Sequence, residues 1–376
     1  MITHTMQKIQ PKFIDPDKDK TRFFSVLRRR VDDHFKEKGI SKHYNTEMVL
    51  KTVVLIVVYL LPFVCLLVLN LTVAAQMVLW FIMGLGLAGI GMSVMHDANH
   101  GAYSGSSRVN YWLGHTLNML GGAVFNWKLQ HNILHHTYTN IVHHDEDVED
   151  KLVLRFSPHT KVKWYHKLQV FYAFLFYGIL TLYWVLLKDF VQFVRFTKDG
   201  VNKNTRKQNA LALAKIILFK AAYYFAFFGV PLAILKMPAL PWITGFLLMH
   251  FVAGLILTIT FQLAHTVEGT THPLPDEKHT IKNNWAIHQL NTTVNFARGN
   301  KLVSWYVGGL NYQVEHHLFP TICHVHYPAV SEIVKSTCEE FGIPYLENKT
   351  LGDAVASHVR TLRRFGKLPD INEALA

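Results

Sequence analysis

Cysteine and charge are both scarce in this chain of 376 residues. Its three cysteines, Cys65, Cys323 and Cys338, form no Cys-x-x-Cys pair, which argues against a disulfide framework and against metal bound by thiolates. Charged residues make up 17% of the chain and hydrophobic residues 50%, a balance that disfavours a soluble multidomain protein. The N-terminal residues 1–50 are polar and charged, so we expect no cleavable signal peptide.

Acidic residues are also scarce, and basic residues outnumber them. The sequence holds 38 Lys and Arg against 26 Asp and Glu, a formal net charge of +12. Basic chains often bind nucleic acid. Here the basic residues crowd the ends and the loops beside apolar runs, which fits an anionic lipid surface better. We therefore expect these basic residues to contact a lipid bilayer, and we expect no nucleic acid partner.

Several apolar stretches reach the length of about 20 residues that a transmembrane helix needs. The predicted spans are residues 53–74, 77–95, 216–235 and 243–263, the first two joined by the link Ala75-Gln76. A fifth stretch, 168–187, has basic flanks and carries Tyr172, Tyr177, Tyr183 and Trp184, which are residues typical of the membrane interface. We expect this stretch to lie in the interface without crossing. The alternative is that 216–235, which contains Lys220 and Pro231, is the one that does not cross.

These stretches predict an all-α, polytopic membrane protein with four transmembrane helices and a cytoplasmic helical cap. Residues 1–50 would form a cytoplasmic arm, with an amphipathic helix near 23–35 lying on the membrane. Residues 51–345 would form the membrane domain, and 346–376 a cytoplasmic tail. An even number of crossings is required between the histidine clusters described next, because they must meet on one side of the bilayer.

Histidine is abundant, with 23 residues, and it clusters near the ends of apolar stretches. The clusters are His96 and His100, then His131, His135 and His136, then His316 and His317. Positions i and i+4 share one face of a helix, and an adjacent histidine reaches round to the next face. Neutral imidazole is the commonest protein ligand for transition metals. Seven such side chains exceed the needs of one metal, so the sequence predicts two.

Further candidates lie outside the three clusters. His265 would stand at the cytoplasmic mouth of the last span, where an unpaired histidine is costly, and we predict it as an eighth ligand. His288 is also a candidate, although it belongs to no cluster. The acidic run Asp145-Glu146-Asp147 is either a solvated loop or a source of carboxylates that orient metal-bound histidines.

The residue types narrow the chemistry of this site. The sequence has no His-Glu-x-x-His motif, which argues against a zinc protease. A site built from neutral imidazoles suits iron, copper or zinc. At the membrane surface such a site would act on a lipid chain, whose methylene C–H bonds have no acidity and no leaving group. Attack on them calls for activated dioxygen on a redox metal, which makes iron the first choice.

The motifs resemble those of the membrane fatty acid desaturases, and specifically the front-end group of Δ5 and Δ6 acyl desaturases and sphingolipid desaturases. The resemblance covers about residues 50–345. It is carried by His96-Asp97-Ala98-Asn99-His100, by the box at 131–136, and by Asn311-Tyr312-Gln313-Val314-Glu315-His316-His317-Leu318-Phe319-Pro320. Gln313 stands where the wider family usually has His, and Gln at this position is typical of the front-end group.

This resemblance implies a fatty acid desaturase that uses O2 and two external electrons at a non-haem di-iron centre. The implied iron ligands are His96, His100, His131, His135, His136, His265, His316 and His317. Gln313 would be a weak or water-mediated ligand, while Asp97, Asn99 and Glu315 would support the ligands from outside. The substrate would be a fatty acyl chain linked to CoA, a glycerolipid or a carrier protein.

Many eukaryotic front-end enzymes carry a fused cytochrome b5 domain marked by His-Pro-Gly-Gly, a motif that this sequence lacks. We therefore expect a separate electron donor, either a ferredoxin or a cytochrome b5 with its reductase, and no bound haem or flavin. The resemblance also implies a multi-pass protein with its active site on the cytoplasmic face, and the lack of fusion favours a bacterial inner membrane.

Two alternatives stay open on the sequence alone. A hydroxylase or ketolase of the same di-iron family would share the histidine boxes and differ only in the fate of the substrate radical. A membrane metal transporter or sensor would need histidines or carboxylates along a path within the spans. Only His250 lies deep in a predicted span, so the pattern disfavours a transporter.

Overall fold

Helices dominate residues 10–15, 22–148 and 153–369, which are the part of the chain that the computed structural model describes. Residues 1–9 and 16–21 of the predicted arm, and 370–376 of the predicted tail, lie outside it. The α-helices are α1 (Phe23–Lys38), α2 (Thr46–Val68), α3 (Val73–Gly89), α4 (Met95–His100), α5 (Ser107–Gly114), α6 (Thr116–Met119), α7 (Val124–Trp127), α8 (His136–Tyr138), α9 (Gln169–Tyr183), α10 (Asp189–Lys198), α11 (Arg206–Tyr224), α12 (Ala239–His265), α13 (Trp285–Thr292), α14 (Lys301–Tyr306), α15 (Gln313–Leu318), α16 (Tyr327–Glu340) and α17 (Leu351–Phe365).

Other regular segments extend or tie these helices. The π-helical segments are Ile90–Val94, Lys128–His135, Trp184–Lys188 and Phe225–Ile234, and the 3₁₀ segments are Trp164–Leu168 and His324–His326. The strands β1 (Lys12–Phe13), β2 (Thr280–Ile281), β3 (Asn295–Phe296) and β4 (Glu347–Asn348) form two parallel pairs, β1 with β2 and β3 with β4. These short pairs fix loops of the cap and leave the helical character of the fold unchanged.

Among the described residues, five continuous helical segments are long and apolar enough to cross a membrane. They are Thr46–Val68, Val73–His100, Trp164–Lys198, Arg206–Ile234 and Ala239–His265. Each exceeds the length of about 20 residues that spans a hydrocarbon core. By length and composition, the stretch around 168–187 is as able to cross a membrane as the four predicted spans. These two properties do not decide how many segments cross.

The first hairpin turns earlier than the sequence analysis predicted. The Thr72 side chain accepts a hydrogen bond from the backbone N–H of Ala75 and caps α3. Ala75 and Gln76 consequently lie inside the helix, so the predicted link there is wrong. The glycines of α3 allow close packing against α2. A Cβ atom on Gly86 would lie 2.8 Å from the backbone nitrogen of Tyr59 in α2.

Helix α9 packs along α12 and contributes side chains to the protein interior. The Thr181 hydroxyl donates a hydrogen bond of 2.7 Å to the carbonyl of His250, halfway along α12. The hydroxyl of Tyr177 lies 2.9 Å from Nε2 of His358 in α17. The expectation that this stretch lies in the membrane interface stays a prediction. Tyr177 is buried, whereas Tyr183 is exposed, and sequence composition does not show which of these aromatic residues pack in the interior.

The π-helical segment Trp184–Lys188 joins α9 to α10. Nζ of Lys220 donates hydrogen bonds to the carbonyls of Trp184 and Val185, and it lies 2.8 Å from the Asp189 carboxylate. These contacts satisfy backbone groups where the regular hydrogen bonding changes. Helix α10 then leads to Arg195, which pairs with Glu146 at 2.5 Å beside the second histidine cluster.

The start of α9 reaches the same end of the molecule. Gln169 donates a hydrogen bond of 2.7 Å to the Leu362 carbonyl in α17, and its side chain also pairs with the backbone of Arg155. Both ends of the segment Trp164–Lys198 thus contact the cap side, where the histidines lie.

Helix α1 belongs to the cap, the layer of helices that it forms with α13, α15, α16 and α17. Its apolar stripe of Phe23, Leu27, Val31 and Phe35 is buried in one core with residues of α13, α15 and α16. Protein covers this stripe, so the expected amphipathic helix lying on the membrane is wrong. An apolar stripe at helical spacing reads the same whether lipid or another helix covers it.

Candidate metal centre

The three histidine clusters sit on short helical pieces that converge beneath the cap. The first lies on α4, which continues from the π-helical segment Ile90–Val94. The second occupies the π-helical segment Lys128–His135 and the first residue of α8, and the third lies on α15. A π-helical turn is uncommon and is frequently found at functional sites. Local helix geometry and tertiary packing together bring the histidines of the three clusters close to one another.

Seven of the eight predicted ligands fall into two compact groups. Within each group one nitrogen atom per ring lies within 4.8 Å of every other. The larger group is His96, His100, His131 and His316, and the smaller group is His135, His265 and His317. Within the larger group, Nε2 of His96 and Nε2 of His131 are 3.2 Å apart.

His136, the eighth predicted ligand, lies between the groups. Its ring centroid is 4.6 Å from that of His316 and 4.5 Å from that of His317. Both of its ring nitrogens are buried and have no hydrogen-bond partner within the described part of the chain. The fold therefore brings all eight predicted histidines to one buried cluster.

Two carboxylates of the acidic run support the second cluster. Nδ1 of His135 lies 3.0 Å from the Asp145 carboxylate, and Nδ1 of His131 lies 3.2 Å from that of Asp147. A carboxylate oxygen only accepts, so each ring carries its proton on Nδ1 and turns the lone pair of Nε2 inward. This is the usual way in which outer partners orient metal-bound histidines. The solvated-loop alternative fails for Asp145, which is buried.

Three more histidines are held at Nδ1 in the same manner. His265 donates to the Thr292 carbonyl at 3.2 Å, and His317 lies 2.8 Å from Oε1 of Gln289. Nδ1 of His316 lies 3.2 Å from the hydroxyl of Tyr327. For His135, His265, His316 and His317, Nε2 is buried and has no protein partner among the described residues. Buried polar atoms without a hydrogen-bond partner are rare in protein interiors, and a metal bound to these nitrogens would explain them.

Burial keeps most of these rings neutral, as a metal ligand must be. It lowers the pKa of His131 to about 3. It also holds the pKa values of His136, His316 and His317 well below the ordinary range, and neighbouring rings lower them further. Burial acts in the same direction on His135, but the Asp145 carboxylate outweighs it and raises the pKa of that ring.

The other predicted site residues lie around this cluster with distinct contacts. Asp97 accepts from the backbone N–H and Nδ1 of His324, the latter at 2.8 Å. Asn99 donates to the Gly114 carbonyl, and its side-chain hydrogen bonds in the described region do not reach a histidine ring. Glu315 accepts from Asn295 and Tyr345, and burial raises its pKa to about 7. Oε1 of Gln313 is buried, and Gln313 lines the cavity described below.

Sequence reasoning missed several residues that support the centre. Gln289, Thr292 and Tyr327 contact ligand histidines, and no spacing pattern in the sequence pointed to them. His288 is buried, but no metal-ligand group within the described residues includes it. Its neighbour on α13, Gln289, makes the contact with the centre instead.

An apolar cavity of about 160 Å³ opens onto the larger group of histidines. Its lining includes His96, His131 and Gln313 at one part, and Leu87, Leu180 and Leu257 at another. The apolar part comes from α3, α9 and α12. Such a cavity can take an apolar group beside the histidines.

The donor set fits a pair of redox metal ions. Seven imidazoles in two adjoining groups, with His136 between them, provide nitrogen ligands for two ions, and Asp145 and Asp147 orient two of the rings through their Nδ1 atoms. The three cysteines contribute to neither group. These clusters are able to hold metal, and their chemistry suits iron.

Comparison with known proteins gives a consistent picture. A family model described as fatty acid desaturase matches residues 72–349, a range that holds all eight histidines. The sn-1 linoleoyl-lipid 6-desaturase of Arthrospira platensis is 35% identical over 356 residues, which are 93% of this chain and 94% of that protein. The protein of the same name from Synechocystis sp. is 36% identical over 350 residues, covering 93% and 96%. Delta(5) fatty acid desaturase A of Dictyostelium discoideum is 34% identical over 373 residues, covering 96% and 77%.

Proposed function

This chain belongs to the fatty acid desaturase family, and we propose that it is a front-end desaturase acting on lipid-linked acyl chains at a di-iron centre. Two relatives that match along almost their whole length are named as linoleoyl-lipid 6-desaturases, which supports a Δ6-type product from a glycerolipid. The reaction converts adjacent methylenes to a double bond. One O2 is reduced to two waters. It takes up two external electrons, two protons from solvent and the two hydrogens removed from the acyl chain.

The single observation that carries the di-iron proposal is that in four of the histidine rings Nδ1 has a protein partner and Nε2 has none among the described residues. Nδ1 of His135 and Nδ1 of His317 are fixed by outer partners, and Nε2 of each is buried without a protein partner in the described chain. His96, His100, His131 and His316 would hold one iron, His135, His265 and His317 the other, with His136 between them. When bound, the irons would supply O2 activation and electron storage.

The protein's own part in the reaction is binding, orientation and exclusion of water. The apolar wall of the cavity, from Leu87 to Leu257, would align the acyl chain beside the larger histidine group. Gln313 would face the chain where the cavity meets His96 and would act as a weak ligand or hold a water. Asp145 and Asp147 would keep the rings of their histidines in place through repeated turnovers.

The proposed membrane arrangement has four crossings, with the histidines and both termini in the cytoplasm. The segment Trp164–Lys198 would enter the bilayer and return. Contacts of Gln169 and Arg195 with the cap side at its two ends support this, as does the π-helical segment between them, to which Lys220 donates hydrogen bonds. A fifth crossing would separate the third cluster from the first by a hydrocarbon core about 30 Å thick.

Expression in a host that lacks Δ6 products tests the function. Cells are supplied with linoleate, and new double bonds are located by mass spectrometry of the extracted lipids, with the His135→Ala variant as the matched control. We expect a Δ6 double bond in glycerolipids from the wild type only. A hydroxylated product, or no O2-dependent product, would contradict the proposal.

A further inference from the structure

The metal centre has a second face, turned away from the acyl cavity and covered by α13. Trp285 and Gln289, one turn apart on this helix, both donate side-chain hydrogen bonds of 3.2 Å to the carbonyl of His136. Gln289 also contacts His317. The cavity draws none of its described lining from α13. One short helix therefore separates the histidines from the outer surface on this side.

A surface groove of about 690 Å³ meets the outer side of Trp285. Phe24, Arg28 and Arg29 of α1 form its opposite wall. The ring of Phe24 lies 5.5 Å from that of Trp285 and 5.9 Å from that of Phe319, centroid to centroid. Trp285 is only partly buried, so one side chain touches the groove on one side and the backbone of a ligand histidine on the other.

The charge in the groove favours an acidic protein. Arg28 and Arg29 are exposed within it, and Lys282 is exposed three residues before Trp285. Of the two acidic residues in the lining, Asp32 is paired with Lys42 at 2.5 Å. Asp33, and Asp15 beside Asn284, then stand against the three basic side chains. Complementary charge steers protein association and fixes its orientation.

The position of the groove disfavours a lipid as its occupant. Its described lining comes from α1 and from Asn284 and Trp285 at the start of α13, and from none of the five membrane-length segments. The partner must also supply what the chemistry needs, namely electrons delivered one at a time from outside the fold. An acidic electron-carrier protein meets both conditions.

We propose that this groove docks an acidic one-electron carrier protein and that Trp285 provides the path for electrons into the metal centre. The proposal rests on the desaturase function proposed above. In each turnover two reduced carriers are oxidised in succession, one electron each. With the two hydrogens of the acyl chain and two protons from solvent, these electrons complete the reduction of O2 to two waters.

The docking half is tested by binding, without reference to turnover. An acidic [2Fe–2S] ferredoxin is titrated against the detergent-solubilised, iron-loaded protein at low salt, and the Kd is measured. The double change Arg28→Glu and Arg29→Glu should raise the Kd by about tenfold or more, and the difference should shrink at high salt. The matched control is Lys349→Glu with Arg363→Glu, which reverses two exposed charges elsewhere on the cap and should leave the Kd near that of the wild type.

The electron-path half is tested by separating kcat from KM. Trp285→Leu removes the indole and its contact with His136, whereas Trp285→Phe keeps an aromatic ring. With ferredoxin as donor, Trp285→Leu should lower kcat by about tenfold with KM for ferredoxin little changed, as expected when transfer within the complex is slowed. Trp285→Phe should fall between the leucine variant and the wild type. The iron content of each variant is measured alongside.

Several outcomes would overturn the proposal. They are the absence of saturable ferredoxin binding to the wild type, a Kd that the Arg28 and Arg29 changes leave unaltered, and an equal loss in the control pair. A Trp285→Leu variant with normal kcat, or one whose loss follows its iron content, overturns the role of Trp285. Failure of the desaturase function is distinguishable, because it would show as no double bond when the wild type is reduced with dithionite, whatever the ferredoxin affinity.

Discussion

Nδ1 of His135 lies 3.0 Å from each carboxylate oxygen of Asp145, and both side chains are fully buried. The same carboxylate accepts the backbone N–H groups of Asn140 and Asp147. The loop therefore fixes the carboxylate, and the carboxylate fixes the ring. An outer partner so constrained sets which nitrogen of His135 can bind a metal.

Replacing Asp145 by Asn should weaken metal binding without removing a ligand. The amide keeps the size of the side chain but loses the charge that holds the proton on Nδ1 of His135. We expect about a 10- to 100-fold loss in metal affinity, measured as iron retained after dialysis against a graded chelator series. The matched control is Glu277→Gln, which removes an exposed carboxylate. An Asp145→Asn protein that retains iron like this control would show that the contact is only structural.

Single histidine changes should separate ligands from other histidines. His96→Ala, His135→Ala and His317→Ala should each abolish turnover while helicity by circular dichroism stays unchanged. His326→Ala should keep most activity, because Nε2 of His326 contacts the carbonyl of His43 and lies outside both ligand groups. A His135→Ala variant with substantial turnover, or an equally inactive His326→Ala variant, would refute the assignment.

Narrowing the cavity should change the preferred acyl chain. A Cβ atom on Gly91 would lie 3.3 Å from Leu257 across the cavity, close enough to reduce the space for a chain. Gly91→Ala should lower turnover of long acyl chains several-fold more than that of short ones, as judged by competition between them. Gly352→Ala on α17 meets nothing closer than 3.7 Å and serves as the control. Equal effects on all chain lengths would show that the acyl chain does not occupy this cavity.

The proposed return of Trp164–Lys198 to the cytoplasmic side is open to chemical labelling. Cysteine is introduced at Lys203 or Lys207, which are exposed after α10, in a background without the three native cysteines. A membrane-impermeant thiol reagent should label these positions only from the cytoplasmic side. Labelling from the outside would mean that this segment crosses and that one of the two later segments does not.

The sequence pointed to the clustered histidines because i, i+4 spacing and adjacent pairs are local features. The outer partners could not be identified in that way. Gln289, Thr292 and Tyr327 reach Nδ1 of their histidines through tertiary packing, and an Nδ1–H group accepts a carbonyl, an amide or a hydroxyl partner with little regard to residue type. Asp145 and Asp147 were ambiguous because an acidic run is as typical of a solvated loop.

Errors in the predicted fold have similar physical origins. The stripe of α1 is apolar whichever surface covers it, so its burial against α16 needed the tertiary structure. The hairpin turn did carry a signal, since Thr72 is a good N-cap, but hydropathy outweighed it in the prediction. The hydrogen bonds to the π-helical segment after α9 come from Lys220 of a different helix, which hydropathy within 168–187 does not report.

Iron quantification on an active, purified preparation tests the central claim most directly. Two groups of histidines, each with several inward-facing nitrogens, predict about two irons per chain. Removing His265 should leave the larger group intact and reduce the count towards about one, on the same coordination argument. An active wild-type protein that holds only zinc, or a single iron, would contradict the account.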